Sequence, residues 1–321
     1  MFLSQNKIIS EKKFDKDISV VWSLLKKNKS DSLVYRRVKE LGYGCYLGYW
    51  HEGSKEPSII INFTGGLILN SKEFKNLSIS QKVLSKNKSR IIIKPINKNH
   101  FKVFEKYLPL FLINNSKDLL NSSQIKTILN EIKEFSKLIS LRKNNMSKEQ
   151  IKGMIGELIF MRDLLNSADF KIVDIIEAWQ KNGNKHNDFV FANKEYEIKT
   201  SENTDQKSVH ISSEFQLFSF NRSKVFLTYY GLKKSKDGIS LDGLVSDIKY
   251  LLKDQKIALL QFSKKLITNG YFSCDFSKKL QFSEVLRHTF EINKIFPKLT
   301  IDEIPRSISE VKYKLNLPKI S

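Results

Sequence analysis

Two carboxylates and an amine are spaced for shared chemistry in the segment HNDFVFANKEYEIKT, residues 186–200. Asp188 precedes one short run of aromatic and β-branched residues, and Glu197 and Lys199 belong to a second such run. The pair Asn193-Lys194 between the runs predicts a tight turn, so the two runs would form a β-hairpin. Because strand side chains alternate between faces, the two acids and the lysine are expected on one face. Carboxylate oxygens in that arrangement suit Mg²⁺, and an amine beside them can stabilise a hydroxide.

The register of this hairpin follows from the length of its turn. A two-residue loop at Asn193-Lys194 places Val190 opposite Glu197 and Asp188 opposite Lys199. The other face carries hydrophobic side chains that would pack on a core, namely Phe189, Phe191, Tyr196 and Ile198. An alternative needs no chemistry, because a surface strand of mixed charge could show the same pattern with a weak cross-strand ion pair.

A helix before the hairpin supplies a third acid. Residues 147–166 show helical periodicity, and the Ser147–Gln150 capping-box pattern predicts where this helix begins. Gly153 and Gly156 interrupt it at a cost of about 1 kcal/mol each relative to Ala. A helix that keeps both glycines is expected to pack very close to a neighbour such as the hairpin. Glu157 is then either an ordinary solvent-facing side chain or a further ligand beside the hairpin acids.

A polar strand face after the hairpin is the candidate for nucleic-acid contacts. Residues 208–217, SVHISSEFQL, alternate so that Val209 and Ile211 would point inward and the polar side chains outward. A lone histidine in such a strand is either a hydrogen-bonded structural group or a phosphate contact. The residues proposed to touch DNA are His210, Ser212, Ser213 and Gln216.

The spacing Asp-x8-Glu-x-Lys resembles the PD-(D/E)XK nuclease signature, with Asn187 where the proline usually stands. Five pieces occur in order, GELIF, EAW, NDFVF, EIKT and VHISS-x-x-QL. Together they resemble a family of prokaryotic proteins described as PD-(D/E)XK members and associated with DNA restriction or defence systems. The likeness runs from the region of Trp22 to the closing VKYKLNL.

This resemblance implies a Mg²⁺-dependent endonuclease acting on DNA, with Mn²⁺ able to substitute. It implies that Asp188, Glu197 and the carbonyl of Ile198 hold the ion, with Glu157 as a further ligand. Lys199 would complete the catalytic set of Asp188, Glu197 and Glu157. Other subunits of a defence system are expected as partners, and a homodimer would allow both strands to be cut.

Two other functions remain compatible with the sequence. One is a DNA-binding or scaffolding subunit whose nuclease site no longer turns over. The other is a basic adaptor that binds a protein partner, whose DNA affinity would be absent or insensitive to salt.

Composition and charge narrow the class of protein. The 321 residues include 55 Lys and Arg against 34 Asp and Glu, a formal net charge of +21. Such an excess favours a polyanionic partner, of which nucleic acid is the commonest. Only eight of the basic residues are Arg, so an AT-rich coding bias that enriches Lys is a competing explanation. The two cysteines, Cys45 and Cys274, are too few and too far apart for a disulfide framework or a zinc cluster.

The sequence predicts a cytoplasmic protein with no membrane contact. No apolar run approaches the roughly 20 residues of a membrane span. The first ten residues, MFLSQNKIIS, lack the apolar region and cleavage site of a signal peptide.

An α/β chain of the α+β type in two domains is expected. Residues 1–143 are interpreted as a β-rich N-terminal domain with connecting helices, because short β-type runs lie between residues 33 and 97. Residues 144–321 would hold the restriction-endonuclease-like mixed sheet flanked by helices, as the resemblance implies. Four aromatic residues of the first domain could either stack on bases or fill a half-buried sheet. They are Tyr43, Tyr46, Tyr49 and Trp50.

Overall fold

A computed structural model gives the fold of the chain. It describes residues 11–28, 32–51, 55–67, 69–70, 74–113, 117–141, 146–167, 169–180, 187–202, 208–218, 223–272, 280–299 and 303–318. The chain divides into two compact units, Met1–Lys143 and Asn144–Ser321. Within the described ranges, no helix combines the length and the apolar character needed to cross a bilayer.

A largely antiparallel sheet is the framework of the first unit. Its strands are β1 (Leu33–Arg37), β2 (Cys45–Trp50), β3 (Pro57–Thr64), β4 (Leu77–Ser85), β5 (Lys88–Pro95) and β6 (Leu120–Asn121). Its α-helices are α1 (Glu11–Lys27), α2 (Phe101–Tyr107) and α3 (Ser122–Leu141). The strands lie in the order β1-β2-β3-β5-β4, and β6 runs parallel to β3. This arrangement confirms the β-rich fold predicted for the region.

The core of the first unit covers one face of this sheet, and the middle of β3 is buried on both faces. Ile59, Ile61 and Phe63 alternate along β3 and are fully buried, and Ile91 and Ile93 of β5 lie beside them in register. The alternation of buried and less buried residues along β5 is the pattern of a strand that covers a core on one side.

A mixed sheet is the framework of the second unit. The strands of this unit are β7 (Phe189–Val190), β8 (Lys194–Ser201), β9 (Ser208–Ile211), β10 (Lys224–Ser240), β11 (Gln281–Glu291) and β12 (Tyr313–Asn316). The central order is β11-β10-β8-β7, in which β8 and β10 are parallel and the outer pairs antiparallel. Strands β9 and β12 pair in a small separate sheet.

Helices cover one face of the mixed sheet, and the small sheet covers the other. The helices are α4 (Lys148–Ser167), α5 (Ile172–Ala178), α6 (Leu241–Leu251) and α7 (Lys256–Thr268). Their apolar side chains share one core cluster with Phe189, Ile198 and Tyr230 of the sheet. On the opposite face, Leu227 and Tyr229 of β10 pack with residues of β9 and β12. A mixed sheet flanked by helices confirms the predicted α+β class.

Candidate active site

The β7–β8 hairpin turns one residue earlier than the sequence predicts. The amide of Phe191 donates a hydrogen bond of 2.8 Å to the carbonyl of Lys194, so the two-residue loop is Ala192-Asn193. The predicted loop, Asn193-Lys194, is wrong because Lys194 is already part of β8. There it pairs with Lys224 at the start of the parallel neighbour β10.

The earlier turn shifts the hairpin register by two residues without exchanging its faces. Phe189 lies opposite Tyr196, and one step further along this register Asp188 lies opposite Glu197 instead of Lys199. A slip by an even number of residues keeps each side chain on its face, because alternate residues share a face. Asp188, Glu197 and Lys199 therefore still lie on one face.

Asp188 is held just before β7 by contacts to two backbone segments. Its Oδ2 atom accepts a hydrogen bond from the amide of Ile198 at 2.7 Å. Its carbonyl accepts another from the amide of Gln180 at 2.8 Å. Trp179, the residue before Gln180, forms an isolated β-bridge with Phe189. The EAW segment thus runs beside β7 and fixes the backbone that presents the acid.

Glu195 is a buried acid on the same face that lies outside the predicted set. Its Oε2 accepts a hydrogen bond from Nδ2 of Asn187 at 2.7 Å, and its Oε1 accepts one from the hydroxyl of Ser223. Asn187 stands where the resembling signature has proline. The hydrogen bond from Asn187 to Glu195 therefore restrains the backbone before Asp188, where the signature has the rigid ring of proline. The sequence gives no signal for the contact with Ser223, which is 28 residues away along the chain.

Glu197 and Lys199 form an ion pair on β8. The Nζ atom of Lys199 lies 2.6 Å from Oε1 of Glu197, whose side chain is 2% exposed. On its other side, Lys199 donates a hydrogen bond of 3.2 Å to Oε1 of Gln216. The same oxygen accepts from the amide of Ser212 at 2.9 Å and from its hydroxyl at 3.3 Å. Gln216 thus connects the ammonium group to the turn that follows β9.

Glu157 reaches the same environment from α4. Its Oε2 accepts a hydrogen bond of 2.6 Å from the indole Nε1 of Trp179. The charges of Asp188, Glu197 and Lys199 all act on this carboxyl group. The structure therefore brings together the four side chains predicted as catalytic, three from the hairpin and one from the helix.

The close approach of α4 depends on Gly156. A Cβ atom at Gly156 would lie 2.4 Å from Cγ2 of Thr200 and 3.2 Å from Cγ2 of Ile198. The predicted close packing of helix on hairpin is confirmed at this glycine and is wrong at Gly153, where nothing lies within 4 Å. The Ser147–Gln150 capping box is also confirmed, with both reciprocal hydrogen bonds formed.

Buried like charges raise the pKa values of the site acids. Burial, and then the charge of Asp188, raise the pKa of Glu197 to about 8, against the lowering effect of Lys199. Burial and the charge of Asp188 also hold the pKa of Glu157 well above its usual range, while the hydrogen bond from Trp179 lowers it. Burial raises the pKa of Asp188 too, opposed by its backbone hydrogen bond and by Lys199. Three acids thus share one nearby ammonium group, and added positive charge would stabilise their ionised forms.

The proposed DNA-contact residues have two different settings. His210 lies on β9 with an exposed side chain, and Ser212 is exposed just after the strand. Ser213 accepts a hydrogen bond from the amide of Phe215 at 3.2 Å, and Gln216 is engaged with Lys199 and Ser212. The serines and Gln216 therefore build a turn beside the lysine, while the histidine points to solvent.

The donor set suits a hard divalent cation. Oε2 of Glu197 is buried and has no hydrogen-bond partner among the described residues. Mg²⁺ in proteins is commonly held by one or two carboxylates and keeps several water ligands. Across the described ranges, no group of three or more His, Cys, Asp or Glu side chains is placed to hold an ion. The residues therefore fit an ion held by Asp188 and Glu197 together with water.

A mixed sheet with two acids and a lysine on one hairpin face, and a helix acid beside them, is the arrangement of a nuclease-like protein. The family model described as "Putative PD-(D/E)XK family member, (DUF4420)" matches residues 18–318. The chain belongs to this family, because the match covers nearly its whole length, and the resemblance seen in the sequence is confirmed. No curated protein and no solved structure shows significant similarity to the chain.

Proposed function

We propose that this protein is a metal-dependent endonuclease that hydrolyses phosphodiester bonds of DNA in a bacterial restriction or phage-defence system. The observation that carries the proposal is the grouping of Asp188, Glu197 and Lys199 on one hairpin face, with Glu157 in the same electrostatic environment. Family membership supports the nuclease class. The formal net charge of +21 supports DNA as the substrate.

Asp188 and Glu197 would hold Mg²⁺, or Mn²⁺ in its place, with the carbonyl of Ile198 as a further ligand. Glu157 accepts a hydrogen bond from Trp179 and would become a ligand only after its carboxylate turned toward the ion. When bound, the ion would polarise a phosphodiester oxygen and neutralise charge that grows in the transition state.

Lys199 has an electrostatic role in this proposal. Its ammonium group is fixed between Glu197 and Gln216, so it can stabilise a hydroxide without first being ordered. Water attacks phosphorus in line and releases a proton to the solvent, the bond to the 3′ oxygen breaks, and that oxygen takes up a proton. The products carry a 3′-hydroxyl and a 5′-phosphate.

DNA would be contacted through His210, Ser212, Ser213 and Gln216, which follow the reactive strand. One site per chain cuts one strand, so cleavage of both strands would require a homodimer. Further subunits of the defence system would bind this protein as partners.

The test is cleavage of plasmid DNA by the full chain with Mg²⁺, with Mn²⁺ and with EDTA. Asp188→Asn and Lys199→Ala are each expected to lower the cleavage rate by at least about 100-fold, since each removes a preorganised charge at the reacting phosphate. The matched control is Asp174→Asn, because Asp174 is exposed on α5, and this variant should cleave like the wild type.

Cleavage that survives in both site variants would exclude this site. A wild-type chain that binds DNA in a salt-sensitive way but never cuts it would instead identify a scaffolding subunit with an inactive site.

A further inference from the structure

The sheet of the first unit keeps aromatic and basic side chains at the surface of one face. Ile59, Ile61 and Ile91 fill the opposite, buried face. The strand register places six such residues together, because directly paired residues and alternate residues share a face. These residues, here called the open face, are Tyr35, Arg37, Tyr46, Trp50, Arg90 and Lys94. All six side chains are half-buried or exposed.

Cations lie over aromatic rings at three places on or beside the open face. The pairs and their distances from cation to ring centre are Arg37–Tyr43 at 5.1 Å, Arg90–Tyr35 at 5.7 Å and Lys94–Trp50 at 5.4 Å. The rings of Tyr35 and Tyr46 also meet edge to face at 5.3 Å. Tyr35 and Tyr43 are each 43% exposed. Contacts of this kind add little stability at an exposed surface, so folding alone does not account for their concentration here.

Long side chains reach across the open face. Arg90 is on β5 and Tyr35 on β1, three strand spacings apart, or about 14 Å in a flat sheet. Their side chains nevertheless meet. Between them, Gly48 lies beside Ser58, and a Cβ atom on the glycine would be 2.7 Å from the serine Oγ. Gly48, Ser58 and the fully buried Ile60 form the floor of this face between the longer side chains.

The first unit also carries most of the excess positive charge. Residues 1–143 contain 27 Lys and Arg against 12 Asp and Glu, a net charge of +15, whereas residues 144–321 contain 28 against 22, a net charge of +6. A general enrichment of Lys by coding bias would not by itself divide the charge in this way. One acid, Glu56, pairs with Lys94 at the margin of the open face. The positive charges of Arg37 and Arg90 are therefore less neutralised than the charge of Lys94.

We propose that the open face binds single-stranded DNA, with bases stacked on Tyr35 and Tyr43 and phosphates against Arg37 and Arg90. Aromatic rings beside cations on a basic surface match a strand whose base faces are uncovered. A duplex hides those faces in its own stack, so the rings would have nothing to contact. The inference rests on the proposed function only in the choice of DNA over RNA.

The experiment measures binding of a fluorescein-labelled 20-nucleotide thymidine strand to the full chain by anisotropy in EDTA. Tyr35→Ala is expected to raise the Kd at least about fivefold, because one stacked base is lost, and Tyr35→Phe should bind like the wild type. Arg37→Ala is expected to lower the slope of log Kd against log salt by about 0.7, the value for one phosphate contact to a single strand.

The second unit offers a matched control. Tyr250 on α6 is 67% exposed, and the ammonium of Lys253 lies 4.2 Å from its ring centre. Tyr250→Ala removes the same atoms from a similar cation–ring pair, and it should leave the Kd unchanged. Thermal melting of each variant verifies that Tyr35→Ala and Tyr250→Ala are equally folded.

Several outcomes would overturn the proposal. They are an unchanged Kd in both Tyr35→Ala and Arg37→Ala, an equal loss in Tyr250→Ala, tighter binding of duplex DNA or of a uridine RNA strand, or equal competition by polyglutamate, which would indicate an acidic protein partner. Lys199→Ala should abolish cleavage and keep strand binding. Failure of the nuclease proposal, seen as no cleavage by the wild type, is therefore separate from failure of this one.

Discussion

Gln216 joins the reactive lysine to the turn after β9 through a single oxygen atom. Its Oε1 accepts hydrogen bonds from the ammonium of Lys199 and from the amide and hydroxyl of Ser212. A carbonyl oxygen has two lone pairs, so three donors leave it no capacity for a phosphate-bound water or a base. Of the DNA-contact residues proposed from sequence, Gln216 is thus the one placed to orient Lys199.

Replacing Gln216 separates these two roles. Gln216→Ala is expected to lower kcat for cleavage about tenfold, because the lysine loses a hydrogen bond to a charged group, with KM for DNA unchanged. Gln216→Glu keeps an acceptor oxygen and should retain most of the rate. The control for kcat is Ser213→Ala, in the same turn but without a contact to Lys199 in the described hydrogen bonds; as a proposed DNA contact, this variant should raise KM and leave kcat unchanged. A raised KM with normal kcat would instead make Gln216 a DNA contact.

The two acids and the lysine could be assigned to one face from sequence alone, and the supporting contacts could not. Alternation along Glu197 and Lys199 is a local property of β8, so an error of one residue in the turn, which shifts the register by two, left it intact. The hydrogen bonds of Glu195 to Asn187 and Ser223 join residues that only the fold brings together. No local sequence pattern predicts these hydrogen bonds.

At the scale of elements, the position of the site depends on how closely α4 lies against β8. The helix presents Gly156 to Thr200 and Ile198 and carries Glu157 in the next position. A shift of the helix away from the strand would move this acid from the hairpin acids. Gly153, one turn earlier, has open space beside it, so the two glycines differ in their physical role.

Alanine at the two glycines is therefore expected to have effects of opposite sign. Gly156→Ala should lower the free energy of unfolding by about 1–3 kcal/mol, because its methyl group would lie inside contact distance of Thr200. Gly153→Ala should raise it by up to about 1 kcal/mol, since alanine is the better helix former and meets no neighbour. Urea unfolding of both variants measures the difference. The same sign in both would show that α4 does not depend on the close contact.

Elements with strong apolar periodicity were predictable from the sequence. Polar strand segments, which depend on pairing with another strand, were not. Strand β4 is the last strand of its sheet, and only Leu77 and Ile79 are buried along it, so its polar sequence resembles a loop. The segment after Gly231 is largely polar, yet β10 continues through it to Ser240 because it pairs with β11 across two irregularities. Pairing with a distant strand is invisible in a local pattern.

At the scale of the whole molecule, the site acids make the stability of the chain depend on pH. The pKa of Glu197 is raised to about 8 by burial, and those of Glu157 and Asp188 are raised as well. In the metal-free protein the folded state therefore binds more protons than the unfolded state, from the ordinary glutamate range, about 4.3, up to about 8. The stability that these three acids contribute is complete below this window and is lost as the pH rises through it.

A divalent cation should reverse that loss, because it binds ionised carboxylates of the folded state. In EDTA, the free energy of unfolding of the wild type is expected to fall between pH 5 and pH 8, by at most about 1.4 kcal/mol per pH unit for each raised acid. At pH 8, Mg²⁺ or Mn²⁺ at 100 times its Kd should restore about 2.7 kcal/mol, and much less at pH 5.5, where protons compete.

The variant Glu197→Gln tests both parts of this prediction in urea titrations. Glutamine cannot lose a proton or bind the cation as a carboxylate, so the fall with pH should be shallower and the gain from Mg²⁺ should shrink. Groups outside the site titrate alike in both proteins, and the difference between the two curves isolates residue 197. An unchanged pH slope together with an undiminished gain from Mg²⁺ in Glu197→Gln would mean that the cation is bound elsewhere, because the buried acid of β8 would then contribute to neither effect.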